Sequence, residues 1–149
     1  MTDFTQYLAE STKEYNYKIK VAGDLSEDFG SKLETVLKKY NSNENVLLII
    51  EKDIAHRKSS KFPEWGIFGL GYRPGSTCVI STFRLKNNVT ETKFLERLKK
   101  VALHEIGHNL GLEHCTNNKE CLMNDAGGTV KQVDREKIWF CSKCWSLIR

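Results

Sequence analysis

Residues 104–114 read His-Glu-Ile-Gly-His-Asn-Leu-Gly-Leu-Glu-His, and this run constrains the chain more than any other. His104 and His108 are four residues apart, so on a helix they lie one turn apart on the same face and can reach the same metal ion. A third ligand at His114 requires the chain to leave the helix, and Gly111 can adopt the left-handed conformation that ends one. The spacing therefore predicts a zinc ion held by three histidines.

Three protein ligands leave the fourth zinc position to water, which is typical of catalytic rather than structural zinc sites. Glu105 is next to the first histidine and is the predicted base for that water. The alternative is an ordinary exposed helix face with His114 in a loop. Gly111 and His114 make a chance match far rarer than it is for the shorter HExxH pattern, so the pattern favours the metal site.

The segment upstream of the histidines has the pattern of a long helix. Asn88 followed by Glu91, or Thr90 instead, can cap its start. Apolar residues then recur at helical spacing without a proline, which predicts a helix over about 90–110 that packs on a sheet and carries the histidines along one edge. The residues of the apolar stripe are Phe94, Leu95, Leu98, Val101, Ala102 and Ile106.

Four cysteines lie in the last 35 residues. Cys115 and Cys121 form one pair, and Cys141 and Cys144 form a C-x-x-C pair, which together predict a structural zinc site of four thiolates. The alternatives are two disulfides or four unrelated buried cysteines. Disulfides need an oxidising compartment, and the N-terminus lacks the basic flank and apolar run of a signal peptide. The fifth, Cys78, lies in an apolar run and is expected to be a small buried hydrophobe.

Met123 lies two residues after Cys121, and a lone methionine usually fills a core. Together with HExxHxxGxxH, it resembles the metzincin metallopeptidases, in which a downstream methionine lies in a tight turn beneath the catalytic zinc. The fuller pattern from His104 to Cys144 resembles one branch, the archaemetzincins, which join the zinc-binding helix to a four-cysteine second site. The run 79–85 also resembles the strand that precedes the active-site helix in that family.

The resemblance covers about residues 66–144 and implies a zinc peptidase with two zinc ions per chain, one catalytic and one structural. Zinc would polarise the scissile carbonyl, and Glu105 would pass a proton from water to the leaving amine. The strand near 78–83 is the expected edge for an extended peptide. The chain departs from the family pattern because five residues rather than four separate Cys115 from Cys121, and its N-terminal half is shorter than the family norm.

Length and composition limit the fold. A chain of 149 residues with 40% apolar content is enough for one core and short for two domains. We expect one domain over 1–149, with the sheet and active-site helix in 1–110 and the second zinc site in 111–149. The predicted class is α+β, with a compact zincin-like mixed sheet. Before the zinc helix, the predicted elements are strand 17–22, helix 26–40, strand 46–50, loop 55–64, and strands 66–72 and 76–85.

The net charge of +4 comes from interleaved basic and acidic residues, which gives no reason to expect a nucleic-acid or membrane partner. We expect a peptide or protein substrate and, without a signal peptide or membrane span, a cytoplasmic location. Two other classes stay open: a zinc-stabilised peptide-binding or regulatory module with little or no turnover, and a nucleic-acid-binding zinc ribbon. Asp134 and Glu136 lie among the basic residues near the C-terminus, which favours a solvated charged face over a ribbon.

Overall fold

The computed structural model describes residues 17–22, 45–56, 59–61 and 64–148. The helix predicted over 26–40 lies outside these residues. The described elements, in chain order, are β1 (Tyr17–Ala22), β2 (Asn45–Ile50), β3 (Ile54–His56), β4 (Trp65–Ile67), β5 (Gly69–Gly71), β6 (Thr77–Ser81), α1 (Glu91–Asn109), α2 (Val130–Arg135) and α3 (Ser142–Leu147). None of these helices has the length and apolar character that crossing a membrane requires.

The main sheet contains four strands in the order β1-β2-β6-β5. β1, β2 and β6 run parallel, and β5 is antiparallel to β6. The apolar runs in these strands, 46–50 of β2 and 78–80 of β6, lie almost wholly in the core, as expected of parallel strands covered on both faces. A second sheet pairs β3 with β4. The combination of a mixed sheet and separate helices confirms the α+β class.

The strand predicted over 66–72 is two short strands in different sheets. β4 pairs with β3, whereas β5 pairs with β6, and the chain changes partner at Phe68. The Phe68 side chain is buried in the core, and its carbonyl still accepts a hydrogen bond from the Ser81 N–H at 2.8 Å. The loop predicted over 55–64 is also wrong at its start, because β3 continues to His56.

The expectation of a free strand edge at 78–83 is wrong. Val79 pairs with Leu48 of β2 on one side and with Leu70 of β5 on the other, so β6 lies inside the sheet. The sequence could not show this because parallel strands pair across long crossovers rather than with their chain neighbours. Among the described residues, β5 is the edge strand on this side, and its Leu70 is 56% exposed.

Helix α1 confirms the predicted helix within one residue at each end. The Thr90 hydroxyl accepts the Lys93 N–H at 3.3 Å, so Thr90 is the N-cap. Val101 and Ile106 pack in the core against the sheet, whereas Leu95 is 43% exposed and does not belong to the apolar stripe.

The end of α1 is fastened to the turn between β5 and β6. The buried Asn109 amide donates to the carbonyls of Tyr72 and Thr77, both at 2.9 Å. The backbone carbonyl of Asn109 accepts the Gly75 N–H at 3.1 Å. These bonds fix the histidine-bearing end of α1 beside the edge strand.

Arg97 ties α1 to α2. Its Nε and Nη2 donate to the two carboxylate oxygens of Asp134 at 2.9 and 2.7 Å, and its Nη1 donates to the Leu85 carbonyl at 3.2 Å. The Arg97 side chain is 7% exposed and the Asp134 side chain is 30% exposed, so the guanidinium is largely desolvated. Hydrogen bonds from Arg97 hold the pKa of Asp134 at about 2, despite the opposing effect of burial.

We expect Asp134→Asn to lower the free energy of unfolding by about 1–3 kcal/mol at pH 7, because it leaves the buried Arg97 without its counter-charge. Urea unfolding of the zinc-loaded protein measures this change. Glu120→Gln is the control, since it removes an exposed ion pair with Lys137 and should cost less than about 1 kcal/mol. Equal losses in the two variants would contradict a structural role for the Arg97 pair.

Candidate metal centre

The three predicted histidine ligands converge at the C-terminal end of α1. Nε2 of His108 lies 3.1 Å from Nε2 of His104 and 3.3 Å from Nε2 of His114. All three ligand nitrogens lie within 4.8 Å of one another. Tetrahedral zinc with Zn–N distances near 2.0–2.1 Å places its ligand nitrogens about 3.3 Å apart. The three nitrogens therefore lie at separations suited to a single zinc ion.

Backbone carbonyls orient two of these rings. Nδ1 of His104 donates to the Leu122 carbonyl and Nδ1 of His108 donates to the Leu112 carbonyl, each at 2.7 Å. A ring that donates from Nδ1 keeps the Nε2 lone pair available for a metal. Burial lowers the pKa of His104 to about 3 and also lowers the pKa of His108, which keeps both rings neutral.

Gly111 ends α1 and redirects the chain, as predicted. Its φ is +95°, a conformation that favours glycine. The Gly111 N–H donates to the His108 carbonyl at 2.8 Å and the Leu112 N–H donates to the Gly107 carbonyl at 3.0 Å, which are the two bonds of a Schellman motif. This turn brings His114 back to the other two histidines.

Glu105 lies on the buried side of α1 against β5. A Cβ on Gly69 would overlap the Glu105 carboxylate, and a Cβ on Gly71 would come within 2.8 Å of the Glu105 carbonyl oxygen. The two glycines therefore allow the strand to approach the helix. Burial raises the pKa of Glu105 to about 8, and the Gly71 N–H, which bonds to the carboxylate, opposes that rise. Such a group can exchange protons near neutral pH.

The sequence pattern does not predict that two strand glycines allow β5 to approach α1. Gly69 and Gly71 alternate in a short run, and glycine inside a strand can indicate close approach of another element. That signal does not identify the approaching element, which here is the Glu105 turn of α1.

Met123 is fully buried against α1 between the two helical histidines. A Cβ on Gly107 would overlap Sδ of Met123, so the sulfur packs directly on the helix backbone there. The segment around Met123 is held by its carbonyl, which accepts the Cys115 N–H at 2.6 Å. Met123 thus packs on the part of α1 that carries His104 and His108.

The four C-terminal cysteines form a second cluster. Sγ of Cys115 is 3.6 Å from Sγ of Cys141, and Sγ of Cys121 is 3.8 Å from Sγ of Cys144. All four sulfurs lie within 4.8 Å of one another. A disulfide has an S–S distance of about 2.05 Å, whereas tetrahedral zinc with Zn–S near 2.3 Å separates its sulfurs by about 3.8 Å. The geometry favours a metal site over disulfides and accommodates the five-residue spacer.

Cys78 is separate from this cluster. It is 1% exposed and packs in the core with β2 and α1, as predicted for a small hydrophobe. Burial raises the pKa of its thiol to about 12, so the thiol stays protonated at neutral pH.

The two clusters share a backbone segment. Leu122 follows Cys121 directly, and its carbonyl is the one that orients His104. Its N–H donates to the Trp139 carbonyl at 2.9 Å. His114 and Cys115 are likewise adjacent in the chain, so the histidine and cysteine clusters are connected at two points.

A cavity of about 470 Å³ lies beside the histidines. β4 and β5 form one wall, α1 forms another, and the segment from Asp125 to Glu136 forms the third. A Cβ on Gly128 would come within 2.9 Å of the Gly66 carbonyl oxygen, so the third wall packs closely on β4. The residues that line this cavity include Phe68, Gly69, Leu70, Gly71, Val101, Glu105, Asp125, Val133 and Glu136.

The prediction that Glu136 belongs to a solvated charged face is wrong. The residue is 4% exposed and lines the cavity instead. Helix α2 is a single short element of mixed polarity, and its inner face is set by packing on α1 rather than by a sequence pattern. The Asp134 carboxylate is also bonded, because it accepts hydrogen bonds from the Arg97 guanidinium.

Residues 7–149 match the family described as Peptidase family M54. The archaemetzincin of Halobacterium salinarum is 37% identical over 111 residues, which are 69% of this chain and 60% of that protein. The archaemetzincin of Haloarcula marismortui is 35% identical over 130 residues, which are 82% of this chain and 71% of that protein. The chain thus spans less than two thirds of the length of the first of these relatives.

Solved structures show the same fold. The crystal structure of archaemetzincin from Methanopyrus kandleri superimposes with a TM-score of 0.67 at 28% identity, covering 79% of this chain and 62% of that one. Archaemetzincin from Archaeoglobus fulgidus, complexed with malonate, gives a TM-score of 0.65 at 25% identity and covers 91% of this chain and all of that one.

The contact between α1 and Met123 can be tested with Gly107→Ala. Alanine in a helix interior normally stabilises by about 0.5–1 kcal/mol relative to glycine. Here we expect destabilisation by about 1–3 kcal/mol, because the new methyl group must displace the buried sulfur. Urea unfolding measures the change, and Lys99→Ala on the exposed face of α1 should lie within about 0.5 kcal/mol of wild type. A Gly107→Ala variant more stable than wild type would show that Met123 has room to move.

Proposed function

The chain belongs to peptidase family M54, together with the archaemetzincins, and we propose that it is a zinc-dependent peptidase that hydrolyses bonds in peptides or proteins. The observation that carries this proposal is the convergence of three Nε2 atoms next to the buried carboxylate of Glu105. His104, His108 and His114 hold the catalytic zinc in this proposal. Three such ligands leave one position for substrate chemistry.

Glu105 is proposed as the general base. A bound zinc ion would polarise the scissile carbonyl and make a water molecule more acidic. Glu105 takes the proton of the attacking water and returns it to the leaving amine. Burial supports this role because it raises the pKa of Glu105 to about 8, so the carboxyl can both accept and return a proton near neutral pH. The Gly71 N–H holds the carboxylate in place.

β5 is proposed as the strand that binds the main chain of the substrate. β6 occupies one of its edges, and among the described residues no strand pairs with the other. Gly69, Leu70 and Gly71 line the cavity next to Glu105. An extended peptide can add to such an edge through main-chain hydrogen bonds, which demand little of its side chains.

The four cysteines are proposed to hold a second, structural zinc ion, within one domain over 1–149. All four are buried, and four thiolates complete the coordination of zinc without an open position. Metal binding at such a site contributes to the folding of the segment that supplies the ligands. Here that segment is 111–149, which also carries His114 and Met123.

We expect elemental analysis of the purified protein to give two zinc ions per chain. His108→Ala should reduce the count to one and keep most of the fold, because the remaining zinc is the structural one. Cys144→Ser should also reduce the count and lower the thermal unfolding temperature, because its metal is coupled to folding. Cys78→Ala is the matched control and should keep two zinc ions. A wild-type count of one or none contradicts the two-site proposal.

We expect Glu105→Gln to keep both zinc ions and the fold while losing about 10²- to 10⁴-fold in peptide hydrolysis, the usual contribution of a general base. Cleavage of a diverse peptide library by the zinc-loaded protein identifies a substrate for this measurement. Glu91→Gln, at the exposed far end of α1, is the control for the change of charge and should keep full activity.

Hydrolysis by Glu105→Gln at the wild-type rate would show that another group is the base. If the zinc-loaded wild type cleaved no peptide in the library but still bound peptides, the zinc-stabilised peptide-binding module would be the correct description instead.

A further inference from the structure

Glu136 is a buried carboxylate in the cavity that the proposed mechanism does not use. It is 4% exposed and lines the same cavity as the three histidines and Glu105. Its carboxylate accepts one hydrogen bond within the described part of the chain, from Nε2 of Gln132 to Oε1 at 3.3 Å. No ion pair reaches it from the described residues. A carboxylate in this setting gains much from a cation that enters the cavity, because burial removes its water without replacing it by a counter-charge.

The cation whose charge acts on Glu136 is committed elsewhere. Lys100 lowers the pKa of Glu136 through its charge, but its ammonium is 2.7 Å from Glu96 Oε1. The same ammonium also donates to the carbonyls of Val133 at 3.1 Å and Asp134 at 3.4 Å, which uses its three donors. Asp125 is the other charged group that acts on Glu136, and its negative charge raises the pKa of Glu136. Burial is the dominant effect and raises the pKa of Glu136 to about 8.

Part of the lining of the cavity that Glu136 faces is apolar. Phe68, Val101 and Val133 belong to one hydrophobic cluster and line this cavity as well. Val101 lies four residues before Glu105, which is about 6 Å along α1. A lysine side chain has a methylene stem of similar length that packs on apolar surface and carries its charge at the tip. The other cation of a peptide is the α-amine at its N-terminus. Binding of that amine to Glu136 would bring polar peptide groups against the apolar residues of the lining.

We propose that Glu136 is a specificity-determining residue that binds the cationic tip of a lysine or arginine side chain next to the scissile bond. This inference rests on the proposed peptidase function, because the side chain would enter the cavity that the catalytic residues line. Glu136 does not contact the reacting atoms in this arrangement. Its role is to favour basic substrates over apolar ones of equal size.

Two hydroxamate inhibitors test the proposal directly. They are identical, without a free α-amine, except that one carries a lysine side chain and the other carries norleucine, which has the same stem and no charge. Isothermal titration calorimetry on the zinc-loaded wild type gives both dissociation constants, at a pH above about 8, the pKa to which burial raises Glu136, so that its carboxyl is ionised. We expect the lysine compound to bind at least about tenfold more tightly, which is the lower end for a close charge pair. Equal binding of the two compounds overturns the proposal without affecting the peptidase assignment.

Glu136→Gln removes the charge and keeps the shape of the side chain. We expect this variant to lose the preference for the lysine compound while it binds the norleucine compound as wild type does. Glu120→Gln is the matched control, because it changes an exposed carboxylate outside the cavity and should keep the preference. Zinc content and unfolding temperature show whether Glu136→Gln is folded, and if it is not, the comparison of the two compounds on wild type decides. A preference that persists in folded Glu136→Gln overturns the proposal.

Binding of neither compound to the zinc-loaded wild type would have a different meaning. It would contradict the catalytic zinc site, and the inference about Glu136 would fall with it. The two failures are therefore distinguishable in one set of titrations.

Discussion

The close approach of α1 to β5 is the contact on which the rest of the site depends. It is possible because Gly69 and Gly71 have no side chains, and it is held by the Asn109 amide, which bonds to the strand-turn carbonyls. This contact removes Glu105 from water and gives it an N–H donor from the strand. The same strand forms a wall of the cavity. One interface thus positions the helix, the proposed base and the proposed peptide-binding edge.

The histidine cluster could be predicted from the sequence because its geometry is local. His104 and His108 meet through helical periodicity, and Gly111 ends the helix by its own conformational freedom. Each cysteine pair is also close along the chain, but the contacts that join the two pairs, Cys115 with Cys141 and Cys121 with Cys144, span 26 and 23 residues. For the histidines, the spacing along the chain determines the distance in space.

The remaining features could not be predicted because they depend on contacts between distant segments. The position of β6 inside the sheet follows from a parallel crossover, and the break at Phe68 follows from a change of strand partner. Glu136 looked like a surface charge among other charges, and only the packing of α2 on α1 turns it toward the cavity. A charge pattern of this kind does not distinguish a solvated face from a buried one.

The backbone link at Leu122 has a thermodynamic consequence. One side of this residue is anchored by the thiol cluster through Cys121, and its carbonyl aligns His104 for metal binding. With both clusters loaded as proposed, order imposed by either ion reduces the entropy that the other must overcome. The coupling is reciprocal, so each ion raises the affinity of the second by the same factor. Removal of either ion would then weaken the binding of the other.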